Sequence, residues 1–353
     1  MGEGGTPLVE SRRLGPTLGI RLLFKLESLN PTGSYKDRIA SVGAALAAAA
    51  GRSGVIATSS GNAGAAIAAY AARAALGAVL VVPDRIPSAK LTQIRAYGAV
   101  VITVRRILDR PDGSAVMFDA VMRAAERSGW LPMITAHRYA PAAMEGVKTI
   151  AFEIVETLHR APERVYVPVG GGGLLAATWR GFAEARALGW ANAVPRMVAV
   201  QPEGCSPLVR AFDGRPASAE AVSTAISGLQ VSVPPDADLA LQALTDSRGR
   251  AIAVSDEAIY DAQRRLAREE AIFAEPAGAA PTAGLLADSA SGENQAGETV
   301  VCLITGTGFK DPAPLESGEP HSALDVDELD QLPEVAARLL DRFPHNRSTG
   351  AHR

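Results

Sequence analysis

Two patterns of apolar and polar positions alternate along this chain. Short apolar runs at residues 21–27, 77–83 and 164–169 (RLLFKLE, GAVLVVP and RVYVPV) are typical of buried strands. Longer segments with alanine-rich faces, such as residues 62–76 and 174–188, are typical of helices. Strands and helices in alternation predict an α/β protein with parallel sheets that are buried on both faces.

The number of these segments predicts more than one domain. Further strands are expected at residues 53–60, 99–104, 196–202 and 299–306, and further helices at residues 36–50, 88–98, 145–158, 236–249 and 255–271. These segments exceed what one small sheet accommodates, so we expect two α/β domains with a cleft between them. The tail, residues 316–353, is polar and acidic, and we expect one helix there before a disordered end.

Composition and charge exclude several classes of protein. The 35 basic and 38 acidic residues are mixed along the chain, and no basic stripe predicts a nucleic-acid partner. The two cysteines and five histidines have neither the spacing of a metal site nor that of a disulfide framework. The N-terminal residues do not read as a signal peptide, and no apolar run reaches the length of a membrane span. We expect a cytoplasmic protein without a metal.

The segment LLFKLESLNPTGSYKDR, residues 22–38, places Lys36 at the start of a predicted helix. A helix N-terminus carries partial positive charge, so an ammonium group is disfavoured there. A neutral amine, or an amine used in a Schiff base, fits this position better. A surface lysine that forms an ion pair with Asp37 is the ordinary alternative.

Two further segments predict anion-binding loops at helix starts. Small residues at 58–64 (TSSGNAG) lead into a helix near Asn62, whose free N–H groups could bind a carboxylate, although an ordinary capped helix explains them too. Four glycines then join a strand to a helix, an arrangement that favours a phosphate site. These are Gly170, Gly171, Gly172 and Gly173. The weaker alternative is a dinucleotide fingerprint, G-x-G-x-x-A, at residues 171–176.

A fourth segment, VVCLITGTGFKDP at residues 300–312, is a strand that ends in Thr305. Ligands of open α/β sheets lie at the carboxyl ends of strands, where a hydroxyl group could bond a heteroaromatic nitrogen; a plain turn is the alternative. An amine, a phosphate loop, an amide, a hydroxyl and a carboxylate loop together are the groups that pyridoxal phosphate (PLP) requires.

From about residue 3 to about residue 312 the chain resembles the fold-type II PLP enzymes, the tryptophan synthase β-like family. GEGGTPL, NPTGSYKDR, EGVKTIAFEI and TGTGFKDP are most similar to threonine synthase, whereas GGGGL and EPAGA are more similar to serine/threonine dehydratases. The resemblance implies twisted, mostly parallel sheets, a homodimer, and the cofactor in an interdomain cleft. Residues 1–44 and 146–315 would form the large domain, and residues 45–145 the small one.

The resemblance also implies roles for individual residues. Lys36 would form a Schiff base with the cofactor and then carry the Cα proton of the substrate. Asn62 would bond the cofactor 3′ oxygen, the glycines and the Leu174 amide would hold the phosphate, and Thr305 would face the pyridine nitrogen. The substrate carboxylate would be bound by Thr58, Ser59, Ser60, Gly61 and Asn62. Ser60 is also a candidate second acid/base.

One stretch departs from the threonine synthase pattern. Those enzymes usually carry an Asn-Ser pair and an arginine that help to hold the substrate phosphate. Here these positions are His137-Arg138 and Ala143, so a bidentate phosphate partner is missing and Arg138 is a candidate replacement.

The first hypothesis for the reaction is therefore γ-replacement on an activated homoserine. Deamination of L-threonine or L-serine is the second. The third is β- or γ-replacement on an unusual amino acid of a specialised pathway. A PLP-binding protein without turnover is the non-enzymatic alternative, and retention of Lys36, Asn62 and the glycines argues against it.

Overall fold

A computed structural model describes residues 1–59, 61–84, 88–107, 113–215, 222–293 and 296–312. The described residues belong to one compact unit. Within them lie the strands β1 Leu8–Glu10, β2 Arg21–Lys25, β3 Gly54–Ala57, β4 Gly77–Pro83, β5 Val100–Val104, β6 Leu131–Pro132, β7 Arg164–Pro168, β8 Arg196–Pro202, β9 Arg250–Val254 and β10 Thr299–Leu303.

Helices separate most of these strands. Within the same residues the α-helices are α1 Leu14–Leu18, α2 Lys36–Ala49, α3 Asn62–Arg73, α4 Ser88–Ala96, α5 Gly113–Ser128, α6 Pro141–Met144, α7 Thr149–Leu158, α8 Gly173–Ala187, α9 Pro207–Phe212, α10 Ala237–Asp246, α11 Asp256–Glu270 and α12 Pro276–Ala290. A 3₁₀ turn, Glu145–Lys148, leads directly into α7. The alternation predicted from the sequence is confirmed.

The larger sheet has six strands in the order β1-β2-β10-β7-β8-β9. All neighbours are parallel except β1, which pairs antiparallel with β2. Successive residues of a strand point to opposite faces. In β10, Val301 therefore packs with α7 and α8, while Val300 and Cys302 pack with α11 and α12. Both faces are covered, which explains the continuous apolar character of the central strands.

The smaller sheet has four parallel strands in the order β5-β4-β3-β6. Its β3 and β4 pack against the alanine-rich face of α3, and Ile56 packs with α5 on the other face. All four strands lie inside the predicted small domain, residues 45–145, and the exact domain limits stay a prediction. The α/β fold class with mostly parallel sheets is confirmed. The predicted tail, residues 316–353, lies outside the described residues. In the described part of the chain, no helix is long and apolar enough to cross a membrane.

Candidate active site

Lys36 is the first residue of α2, and the turn before it is fastened to the end of the central strand β10. The Tyr35 amide donates to the Thr305 carbonyl oxygen (3.1 Å), and the Thr307 amide donates to the Gly33 carbonyl oxygen (3.0 Å). Thr305 is buried two residues beyond β10. The predicted lysine and the predicted hydroxyl group therefore lie on neighbouring backbone segments at the carboxyl edge of the larger sheet.

The Lys36 side chain does not pair with the carboxylate that follows it. Its Nζ donates to Thr135 Oγ1 (2.9 Å) and lies 4.8 Å from the centre of the Tyr35 ring. Asp37 instead accepts hydrogen bonds from the amide (2.6 Å) and the hydroxyl group of Thr32, which closes the turn. Burial outweighs these bonds and raises the pKa of Asp37 above its ordinary value. The Lys36 amine is thus directed toward the segment around Thr135.

Asn62 begins α3 and is bound by an acidic residue that the sequence did not single out. Its Nδ2 donates to Glu275 Oε1 (2.6 Å), and the Glu275 amide donates to the Gly306 carbonyl oxygen (3.0 Å). A Cβ atom at Gly306 would lie 2.1 Å from Glu275 Oε1, so a side chain there would displace the Glu275 carboxylate. Glu275 stands at the N-terminus of α12, in the motif AEPAGAA, and joins Asn62 to the loop after β10.

The predicted carboxylate loop follows β3 and enters α3. The Gly61 amide donates to Ser59 Oγ (3.2 Å). A Cβ atom at Gly64 would lie 2.2 Å from the Ser59 carbonyl oxygen, so the helix packs closely on the loop. Thr58 and Gly61 are half-buried. Ser60, the candidate second acid/base, lies outside the described residues.

The four glycines join β7 to α8, which begins at Gly173. Gly172 has a φ of 90°, a conformation that favours glycine. A Cβ atom would lie 2.8 Å from the Asp236 carbonyl oxygen at Gly172 and 2.5 Å from Asp236 Oδ2 at Gly173. The Asp236 amide also donates to the Gly171 carbonyl oxygen (3.0 Å). At Gly172 and Gly173 the segment around Asp236 therefore occupies the space that side chains would need.

Asp236 also holds residues 137 and 138, the stretch that departs from the threonine synthase pattern. Its carboxylate accepts hydrogen bonds from the amides of His137 (2.8 Å) and Arg138 (3.1 Å), and His137 Nδ1 lies 3.2 Å from Oδ2. The imidazole of His137 is buried, whereas the Arg138 side chain is exposed and lies over the Tyr139 ring (5.9 Å). The structure thus brings His137, and not the Arg138 side chain, to the glycines.

Neither Asp236 nor Thr135 was predicted. Asp236 lies 63 residues after Gly173, in a segment without a recognisable motif, and its partners are mostly backbone amides. Thr135 was overlooked because a lone threonine after a two-residue strand gives no signal. The AEPAGAA motif could have indicated Glu275, because its acid precedes a helix start.

These residues fit pyridoxal phosphate. The bare glycine backbone at the start of α8 suits a phosphate group, since free N–H groups and the helix dipole favour an anion there. The Lys36 amine bonds Thr135, two residues before His137, whose ring adjoins Gly173. A buried nitrogen of that ring, Nε2, has no partner among the described residues. No cluster of side chains in the described part of the chain could hold a metal ion.

Comparison with known proteins identifies the family. The sequence profile of the family described as pyridoxal-phosphate dependent enzyme matches residues 1–306. The chain belongs to this family. It is 40% identical to a threonine synthase of Mycobacterium leprae over 88% of this chain and 83% of that one. It is 39% identical to a threonine synthase of Synechocystis sp. over 88% and 78% of the two chains.

A solved structure of a similar protein has the same architecture. A T.th. threonine deaminase superposes with a TM-score of 0.70, at 28% identity over 86% of this chain and 92% of that one. The chain is accordingly a PLP-dependent enzyme, its cofactor is pyridoxal 5′-phosphate, and it is threonine-synthase-like. The predicted family, cofactor and enzyme class are confirmed.

Proposed function

We propose that this enzyme converts an activated homoserine, O-phospho-L-homoserine, into L-threonine and phosphate, with phosphate lost from Cγ and water added at Cβ. The observation that carries the proposal is the identity of about 40% to threonine synthases over 88% of the chain. The matched region includes the Lys36 turn, the Asn62 loop and the glycines.

Four groups are proposed to hold the cofactor. When bound, PLP supplies an electron sink next to the Cα atom of an amino acid. The Lys36 amine binds the cofactor and carries the Cα proton. The amides of Gly170–Gly173 and Leu174 donate to the phosphate, Asn62 donates to the 3′ oxygen, and Thr305 faces the pyridine nitrogen.

Asn62 can serve the cofactor because Glu275 uses one of its two amide hydrogens. The hydrogen bond of 2.6 Å fixes which side of the amide is Nδ2 and leaves its second hydrogen available for an oxygen. Glu275 is therefore proposed to position Asn62.

The substrate is proposed to lie between the Asn62 loop and the glycines. The amides and hydroxyl groups of Thr58, Ser59 and Gly61 bind the carboxylate, since they precede a helix start. Ser60 remains the proposed second acid/base. His137 replaces the missing phosphate partner at Ala143, because Arg138 lies at the surface.

Deamination of L-threonine or L-serine is the second candidate. It is favoured by the exposed Arg138, by Ala143, and by the GGGGL and EPAGA segments. Replacement on an unusual amino acid would also explain the altered stretch at residues 137–143.

A homodimer, a cytoplasmic location and closure of the small domain over substrate are proposed as well. Light scattering of the purified protein measures whether it is a dimer.

Product analysis by mass spectrometry separates these reactions. The purified PLP-loaded enzyme is given O-phospho-L-homoserine, L-threonine, L-serine, and O-acylated serine and homoserine in parallel. We expect threonine and an equal amount of phosphate from the first compound only. Oxo acid from threonine or serine, with O-phospho-L-homoserine unchanged, would establish the deaminase reaction instead.

A further inference from the structure

His137 carries a buried ring nitrogen that nothing in the described residues satisfies. The residue is 7% exposed, and its Nε2 has no hydrogen-bond partner there. Leaving a buried polar atom without a hydrogen bond destabilises the fold. A group that is absent from the chain itself, such as a substrate, is the natural partner of this atom.

Asp236 determines which nitrogen is available. Its carboxylate is 3% exposed and lies 3.2 Å from His137 Nδ1, while the amides of His137 and Arg138 hold that carboxylate in place. The carboxylate favours a proton on Nδ1, because two acceptors would otherwise face each other. Nε2 is then the ring nitrogen that faces away from the carboxylate and is available to a ligand.

The His137 ring adjoins the glycines, and the segment that carries it also bonds Lys36. A Cβ atom at Gly173 would be 3.5 Å from His137 Nδ1, so the ring adjoins the glycines. Two residues before His137, Thr135 accepts the hydrogen bond from Lys36 Nζ (2.9 Å). One short segment therefore connects the lysine to the imidazole, and a substrate bound near Lys36 comes within reach of this segment.

We propose that His137 is a catalytic residue that exchanges protons with the leaving group and the incoming water, and that Asp236 is its positioning residue. This inference rests on the proposed function. When the bond between Cγ and the phosphate oxygen breaks, its electron pair goes to that oxygen. The Nε2 proton of the imidazolium follows, so that the product leaves as hydrogen phosphate rather than as a trianion.

The same nitrogen closes the proton cycle. Neutral Nε2 takes a proton from water while the water oxygen bonds to Cβ, and the imidazolium is restored. The proton that Cβ loses ends on Cγ, which becomes a methyl group, and the Lys36 amine is the group proposed to carry it. Water replaces phosphate in the net reaction, and no oxidant or reductant is needed.

Two amide variants separate proton transfer from simple hydrogen bonding. In His137→Gln the side-chain amide can place a donor near the position of Nε2 but cannot transfer a proton. We expect kcat to fall about 10²–10⁴-fold, with KM for O-phospho-L-homoserine changed less than about threefold. His137→Asn is shorter and should lose both kcat and substrate affinity. The visible absorbance of bound cofactor should be unchanged in both variants.

Chemical rescue and NMR give readouts that a structural role would not produce. Added imidazole should restore part of the kcat of His137→Gly and should not affect His137→Gln, in which the space is filled. In the PLP-loaded wild type with ¹³C-labelled histidine, the His137 signal is the one that is missing from the spectrum of His137→Gln. Inorganic phosphate should shift this signal.

The possible failures are distinguishable. A wild-type enzyme that releases no phosphate from O-phospho-L-homoserine overturns the proposed function. If the wild type does release it, a His137→Gln variant with wild-type kcat overturns the proton transfer. A His137 signal that saturating phosphate leaves unmoved overturns the placement of His137 at the leaving group.

Discussion

Lys36 occupies a helix start without the ion pair that would make it an ordinary surface lysine. Asp37 is engaged by Thr32, and the Lys36 amine contacts a neutral hydroxyl group. No carboxylate in the described residues lies within ion-pairing distance of this amine. A lysine in such surroundings is suited to covalent chemistry, because an amine without a charged partner is more easily used as a nucleophile.

Replacing this amine should abolish both cofactor colour and turnover. In Lys36→Ala we expect loss of the visible absorbance of bound PLP and a fall of at least about 10³-fold in kcat, since both proposed roles of the amine are removed. Lys148→Ala is the control, because Lys148 pairs with the partly exposed carboxylates of Glu145 and Glu184. A Lys36→Ala protein that keeps its colour and turnover would show that another group binds the cofactor.

Glu275 should matter for cofactor affinity through Asn62. Glu275→Ala removes the acceptor of the 2.6 Å hydrogen bond, so the Asn62 amide can rotate. We expect the Kd for PLP to rise about tenfold, which corresponds to about 1.4 kcal/mol. Glu275→Gln keeps an acceptor of the same size and should stay within about threefold of wild type. Fluorescence titration of the apoenzyme measures both, and equal losses would contradict a role through the hydrogen bond.

At the scale of elements, apolar periodicity was sufficient to locate a helix or strand where the segment has one clear apolar face or a continuous apolar run. It located α3, β4 and β8 to within a few residues. It did not indicate α12, because Pro281 and many small residues obscure the pattern of a helix that is buried on nearly all sides. It also missed β9, a short edge strand whose residues are mostly half-buried.

The site was predictable where its chemistry lies in one continuous segment. Lys36, Asn62 and the glycines each stand at a strand-to-helix junction, which the sequence shows directly. The pair of Asp236 and His137 could not be predicted, because 99 residues separate them and a carboxylate held by backbone amides leaves no mark in the pattern of residue types. Only the folded chain brings such partners together.

The turn into α8 should depend on glycine at position 172. Gly172→Ala would place a methyl group 2.8 Å from the Asp236 carbonyl oxygen on a backbone with a φ of 90°. We expect a loss of about 1–3 kcal/mol in the free energy of unfolding and weaker PLP binding. Gly189→Ala has a similar φ of 73° but open space around its Cβ atom, so it should show the strain without the loss of PLP affinity. Equal PLP affinity in both variants would mean that this loop does not hold the phosphate.

At the scale of the molecule, a buried ionic cluster joins the N-terminal segment to both ends of the lysine turn. Arg38, in the first turn of α2, donates to Glu27 (2.7 Å) and to Glu153 of α7 (2.6 Å). Lys25 at the end of β2 donates to Glu153 (2.6 Å) and to the Thr6 carbonyl oxygen (2.6 Å). The cluster fixes α2 relative to β2 and α7, and so fixes the position from which Lys36 extends.

This cluster should make the stability of the protein depend on pH in the acidic range. Burial by itself would raise the pKa of Glu153, but hydrogen bonds and charge from Arg38 and Lys25 outweigh it and lower the pKa from 4.5 to about 2. Because the folded pKa is the lower one, the carboxylate stabilises the fold fully above pH 4.5. This contribution, about 3 kcal/mol, is lost as the pH falls toward 2.

Glu153→Gln tests this contribution. We expect the variant to be about 3 kcal/mol less stable than wild type in urea unfolding at pH 7, because Lys25 and Arg38 lose a buried counter-charge. The difference should shrink between pH 4.5 and pH 2, because the unfolded wild-type chain takes up a proton at Glu153 in this range while the folded one keeps its charge. Glu10→Gln breaks the exposed pair with Arg21 and should cost less than about 1 kcal/mol. A wild-type advantage over Glu153→Gln that stays constant down to pH 2.5 would mean that the charge of Glu153 does not stabilise the fold.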